Sequence, residues 1–67
     1  MTLTAVLTPD ADGGFVAFNP ETGTTTQGEN IAEALANLTE ATELYLEEFP
    51  LKSSGQPLLT TIEVGGA

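Results

Sequence analysis

The stretch GTTTQGEN, residues 23–30, sets two glycines five apart before an apolar, helix-like run, which is the opening half of a phosphate-cradling loop. That signature continues with Lys and then Ser or Thr, whereas this chain has Glu29 and Asn30. Glu29 would put negative charge where the phosphate must sit, so a short strand bounded by two turns is the better reading. A second stretch, DADGG, places Asp10 and Asp12 at the first and third positions of a calcium loop, with Glu21 at the twelfth. Gly14 then falls where a side-chain oxygen is needed, and Phe15 falls where the sharp turn requires glycine, which leaves a solvated hairpin turn. The chain has no His and no Cys, so acid-base work would fall to carboxylates or Lys52. The hydroxyls of Ser53 and Ser54 sit in a linker with no evident base. These residues imply no catalytic, cofactor or metal site, and the chain is not expected to be an enzyme.

The more informative constellation is acidic. Glu33, Glu40, Glu43 and Glu47 fall within about 80° of one another on a helical projection, opposite the apolar stripe and without a Lys or Arg on the helix. Like charges three or four residues apart repel, and Glu47 and Glu48 oppose the negative end of the helix dipole. Such a face either keeps the protein soluble or complements a basic protein, whose approach it would speed and orient. Leu44 lies outside the apolar stripe and offers apolar contact beside the acids. Glu33, Glu40, Glu43, Leu44 and Glu47 are therefore the candidate partner-binding residues.

Composition narrows the partner. Ten acidic residues against Lys52 alone give a net charge of −9, which excludes direct nucleic-acid or anionic-membrane binding, since both depend on basic side chains. The 40% apolar content is too high for a disordered acidic tail. A single domain of 67 residues has a thin core, and with neither disulfide nor zinc ligands available, self-association is the expected means of stabilisation. No apolar run reaches the length of a spanning helix and no basic signal-peptide start is present, so a cytoplasmic location is expected.

The elements that must position these residues follow from periodicity. Residues 2–8 alternate, with Leu3, Ala5 and Leu7 on one face of a strand that Pro9 ends. Gly13 and Gly14 supply the positive-φ positions of a hairpin into a second strand over 15–18. A turn at NPETG leads to a third strand over 24–27. The period then changes to 3.6. Asn30 is a suitable N-cap, Glu33 can reach back to the cap's own N–H, and a helix should run from about Ile31 until Pro50 closes it. Its buried stripe would comprise Ile31, Ala34, Leu35, Leu38, Ala41, Thr42, Tyr45 and Phe49. After a linker, Leu58, Thr60, Ile62 and Val64 alternate along a final strand. The expected fold is a two-layer α+β domain of order β-β-β-α-β, an antiparallel sheet with one helix on one face. Val16, Phe18 and Leu59 would lie on the other face, which either meets another subunit, there or at a sheet edge, or is ordinary exposed apolar surface.

Residues 12–49 resemble the HicB-like antitoxins. In that family a G-G-aromatic-x-A strand leads through a proline turn to G-c-x-t-x-G-d-t and then to x-x-E-A-l-x-N-x-x-E-A-i-x-x-y-l. The matching positions include Gly13, Gly14, Ala17, Pro20, Gly23, Thr26, Gly28, Glu33, Ala34, Leu35, Asn37, Glu40, Ala41, Tyr45 and Leu46. The turn over 20–23 is one residue shorter than the usual family turn, and Thr24 replaces an often apolar or Cys residue. The resemblance implies a partial ribonuclease H-like fold, dimers or higher assemblies, and an antitoxin that covers the RNA-binding face and catalytic histidine of a small basic HicA-type ribonuclease. Longer members add a C-terminal DNA-binding domain that the sequence to Ala67 does not contain, so operator binding is not implied. A stand-alone structural or assembly module of the same fold, with no toxin partner, is the alternative. A carboxylate-based hydrolase is suggested only by the ribonuclease H likeness.

Overall fold

A computed structural model describes residues 1–51 and 55–66. Three strands, β1 (Val6–Pro9), β2 (Phe15–Asn19) and β3 (Thr24–Gly28), precede one helix, α1 (Ile31–Glu48). The strands form an antiparallel sheet in the order β1-β2-β3, with α1 packed against one face, which is the expected α+β arrangement. The first hairpin turns where the glycines allow it, with φ of 99° at Gly13 and 79° at Gly14. The N–H of Asp10 donates to the Gly14 carbonyl at 3.0 Å, and the Asp12 N–H donates to Asp10 Oδ1 at 3.0 Å.

The first strand is shorter than the alternation of residues 2–8 suggests, because it starts only at Val6; it ends at Pro9, as expected. Its register pairs Val6 with Phe18 and Pro9 with Phe15, so continuing backwards would set Thr4 opposite Pro20. Proline has no N–H to give a ladder, and pairing stops. Side chains satisfy Thr4 instead. Its N–H donates to Glu21 Oε1 at 3.0 Å, its hydroxyl donates to Glu21 Oε2 at 2.7 Å, and its carbonyl accepts from Asn19 Nδ2 at 2.7 Å. Asn19 is almost fully buried, and its Oδ1 also accepts from the N–H and the hydroxyl of Thr22, at 2.9 and 2.6 Å. One carboxylate and one amide thus tie the N-terminal residues to the β2–β3 turn.

Helix α1 begins where expected. Asn30 has extended backbone torsions and its Oδ1 accepts from the Glu33 N–H at 2.8 Å. The reciprocal bond differs by one residue: Glu33 Oε1 accepts from the N–H of Glu29, at 2.9 Å, and not from that of Asn30. The helix ends at Glu48, with the Phe49 N–H still donating to the Tyr45 carbonyl at 2.9 Å.

The core is small: Ala17, Ala34 and Leu38 are buried, with Leu7 and Phe15 packed against them. Thr42 continues the buried stripe and Leu35, Ala41 and Leu46 are half-buried, but Ile31, Tyr45 and Phe49 remain 46%, 37% and 59% exposed, more than the helical projection suggests. Length explains this. Eighteen helical residues span about 27 Å, whereas strands of four or five residues span roughly 17 Å, so the ends of the helix overhang the sheet. The Tyr45 and Phe49 rings, 5.0 Å apart, pack on each other instead.

The helix lies tightly against the sheet at Gly28. A Cβ there would lie 2.8 Å from the Glu33 carbonyl carbon and 2.9 Å from Ala34 Cα, and closer still to the Ala34 nitrogen. Two bonds fasten the same seam: the Thr26 hydroxyl donates to the Ala34 carbonyl at 3.2 Å, and Asn37 Nδ2 donates to the Gln27 carbonyl at 2.8 Å.

No fourth strand forms over residues 58–64. The expected alternation is present, but Leu58, Ile62 and Val64 are 90%, 83% and 74% exposed. Alternation specifies a strand's two faces and not the edge that will take it, and within this chain the segment pairs with neither outer strand. Gln56, just before it, donates from Nε2 to the Thr2 carbonyl at 2.9 Å. The expected linker residues Lys52, Ser53 and Ser54 lie outside the described residues.

Two outcomes are expected. Gly28→Ala forces backbone apart at the helix seam and should cost about 1–3 kcal/mol, read as a lower urea midpoint with retained helix content. Glu21 should contribute pH-dependent stability. Burial pulls its pKa up, but the hydroxyl and N–H of Thr4, its own N–H and the Asn19 amide together hold it below the usual carboxylate range. A depressed folded-state pKa stabilises above the unfolded value, and that contribution is lost as pH falls through the folded one. The stability difference between the natural chain and Glu21→Gln should therefore be constant near neutrality and shrink with acidification; a difference that does not change in urea melts across this range would contradict the assignment.

Candidate functional site

All five sequence-derived partner residues lie on α1 and are exposed. They do not form one compact cluster. Glu40, Glu43 and Glu47 occupy successive turns, within about 10 Å of helix rise, and Leu44, 57% exposed, stands beside them. Glu33 lies roughly 10 Å of rise before Glu40, and its carboxylate is engaged with the Glu29 N–H. It borders a separate hollow at the hairpin end, lined also by Asp10, Asp12 and Glu29. Glu48 extends the C-terminal group, and the last turn of the helix carries no basic residue. The result is an acidic ridge along the solvent side of the helix, with its densest charge at the C-terminal end. There the unpaired carbonyls add negative potential.

The motifs that suggested other chemistry are separated by the fold. Gly23 and Gly28 flank and end β3, so a strand lies where a phosphate loop would need to curl. Asp10 and Asp12 precede β2, while Glu21 follows it, at the other end of the strand, and its carboxylate is taken up by Thr4 and Asn19. Among the described residues, no three acidic side chains converge with metal-ligand geometry. Ser53 and Ser54 lie outside the described residues.

Two surfaces are almost without charge. On the sheet face away from α1, Val6, Phe18 and Thr25 form one cross-strand row and Thr8, Val16 and Gln27 the next. Val16 and Phe18 were expected there; Leu59 was too, but it belongs to no strand. The second surface is a groove of about 350 Å³ between α1 and the residues preceding β1. Leu3, Ala5, Leu35, Thr39 and Leu46 line it, with Glu43 its one ionised side chain. Thr42 also borders it, and the Thr42 hydroxyl is buried without a hydrogen-bond partner. Sequence reading does not reveal this groove, because it exists only where β1 starts late and leaves Leu3 and Ala5 outside the sheet. The Asn19-Glu21-Thr4 network is likewise absent from the sequence reading; its one local signal is an Asn directly before a proline turn.

Among the described residues, no helix is long and apolar enough to cross a membrane. No protein-family model matches the chain. It is similar to the UPF0150 protein ssr1765 of Synechocystis sp., with 47% identity over 45 residues, covering 66% of this chain and 57% of that protein. The chain thus spans somewhat over half the length of the curated relative it matches, and that relative's name states no activity.

Proposed function

We propose that the chain is a HicB-like, antitoxin-type binding module whose acidic helix ridge takes a small basic ribonuclease of the HicA type. The observation that carries this reading is the ridge itself. Glu40, Glu43, Glu47 and Glu48 project from one helix with no cation in its last turn, and exposed Leu44 lies among them. A protein that binds RNA presents clustered Lys and Arg, and the same cluster is complementary to this ridge. Bound there, the module would occupy the surface the ribonuclease needs for its own polyanionic substrate. Inhibition would be by exclusion and charge neutralisation, with no catalytic step by the antitoxin. The matched motif residues support the reading from a second side, because Gly28, Glu33, Ala34 and Asn37 all take part in seating or capping α1.

The second reading, a stand-alone assembly module, is favoured by the uncharged sheet face and the exposed segment over 58–64. Titration against a short basic ribonuclease of the HicA type separates the two. At low salt the natural chain should bind, with affinity falling steeply as salt rises. The combined variant Glu40→Gln, Glu43→Gln, Glu47→Gln should bind at least about tenfold more weakly and with a shallower salt dependence, whereas Glu63→Gln, off the helix, should not. Absence of binding at low salt, or an equal loss from Glu63→Gln, would refute the ridge as the interface.

A further inference from the structure

We infer that the groove between α1 and the N-terminal residues is a self-association site that takes the segment over 58–64 from a second copy of the chain, each copy serving the other. Three observations on different parts of the molecule lead to this. The segment alternates apolar side chains, yet Leu58, Ile62 and Val64 stay largely in solvent although Gln56 is hydrogen-bonded beside the chain's own groove. Proximity to its own groove has not docked it. Pro57 restricts Gln56 to extended backbone, which carries the segment onward instead of folding it back.

The groove lacks what such a segment supplies. Leu3, Leu35 and Leu46 are only half-buried there, and Ala5 and Thr39 beside them are exposed. An incoming extended backbone brings N–H and C=O groups as well as apolar side chains. The adjoining outer edge of β1 has no neighbouring strand, so the ladder can continue past the groove.

Charge selects the occupant. Two copies carrying −9 each repel unless they meet where charge is sparse. Glu63 is the one ionised side chain of the segment and Glu43 the one in the groove, so these are among the few surfaces two copies can bring together. A basic partner would instead be drawn to the acidic ridge. The inference does not depend on the antitoxin reading and survives its failure.

The test is complementation, followed by size-exclusion chromatography with light scattering. Ile62→Glu spoils the segment and leaves the groove; Ala5→Glu, at an exposed groove residue outside the sheet, does the reverse. The natural chain should be dimeric. Each variant alone should associate roughly tenfold or more weakly, because each drives an unpaired charge into an apolar contact. An equal mixture should regain a dimer, since one sound segment then meets one sound groove. A natural chain that is monomeric, a dimer indifferent to Ile62→Glu, or a mixture that stays monomeric would overturn the proposal, the last by assigning the segment to its own chain. Should a variant lose its helical circular dichroism, the cysteine-free sequence offers another route: chains bearing Thr39→Cys and Thr60→Cys, mixed and mildly oxidised, should form a disulfide between copies, and failure to do so counts equally against the exchange.

Discussion

The close approach of helix to sheet at Gly28 is the constraint on which the other contacts depend. The last residue of β3 lies against the backbone of Glu33 and Ala34 with no room for a Cβ, so the first turn of α1 is placed directly by main-chain contact. Ala34 is the matching small residue, fully buried, and its carbonyl accepts from Thr26 in the same strand. Once this seam is fixed, Leu38 and Thr42 fall inward at successive turns, and Glu40 and Glu47 fall outward. The orientation of the acidic ridge is thus a consequence of a glycine at the far end of the helix.

The same seam limits the interior. A helix longer than the strands beneath it can be covered only over part of its length, so Tyr45 and Phe49 are left to pack on each other and the hydrophobic core reduces to Ala17, Ala34 and Leu38 with their half-buried neighbours. So little burial gives modest stability for a domain of this size. Polar links do part of the work that apolar packing cannot. Asn19, buried between Thr4 and Thr22, and the Glu21 carboxylate hold the N-terminal residues where the ladder has ended.

Charge is distributed by the fold into distinct regions. Acids line the outer side of α1 and the hairpin end, while the far sheet face and the groove beside β1 hold almost none. A chain with one basic residue cannot neutralise the ridge internally, so the ridge favours a cationic protein, and the uncharged surfaces favour contacts that do not add charge to charge. The two kinds of surface meet at Glu43, which belongs to the ridge and also borders the groove.

Much of this was legible in the sequence, because it depends on neighbours along the chain. Gly13 and Gly14 marked the hairpin, Asn30 marked the helix start, and the spacing of Glu40, Glu43 and Glu47 placed them on one side of a helix, since turn torsions, capping and helical period are local properties. The tertiary structure decided what depends on reach and register. Pro20 stands opposite Thr4 only once β1 and β2 have paired, and this shortens β1 and opens the groove. Ile31, Tyr45 and Phe49 share the buried stripe's phase but lie beyond the sheet's extent, and Glu33 shares the ridge's phase but is held at the hairpin end. The residues over 58–64 carry the period of a strand, yet a strand is made by hydrogen bonds to an edge, and periodicity contains no information about which edge provides them.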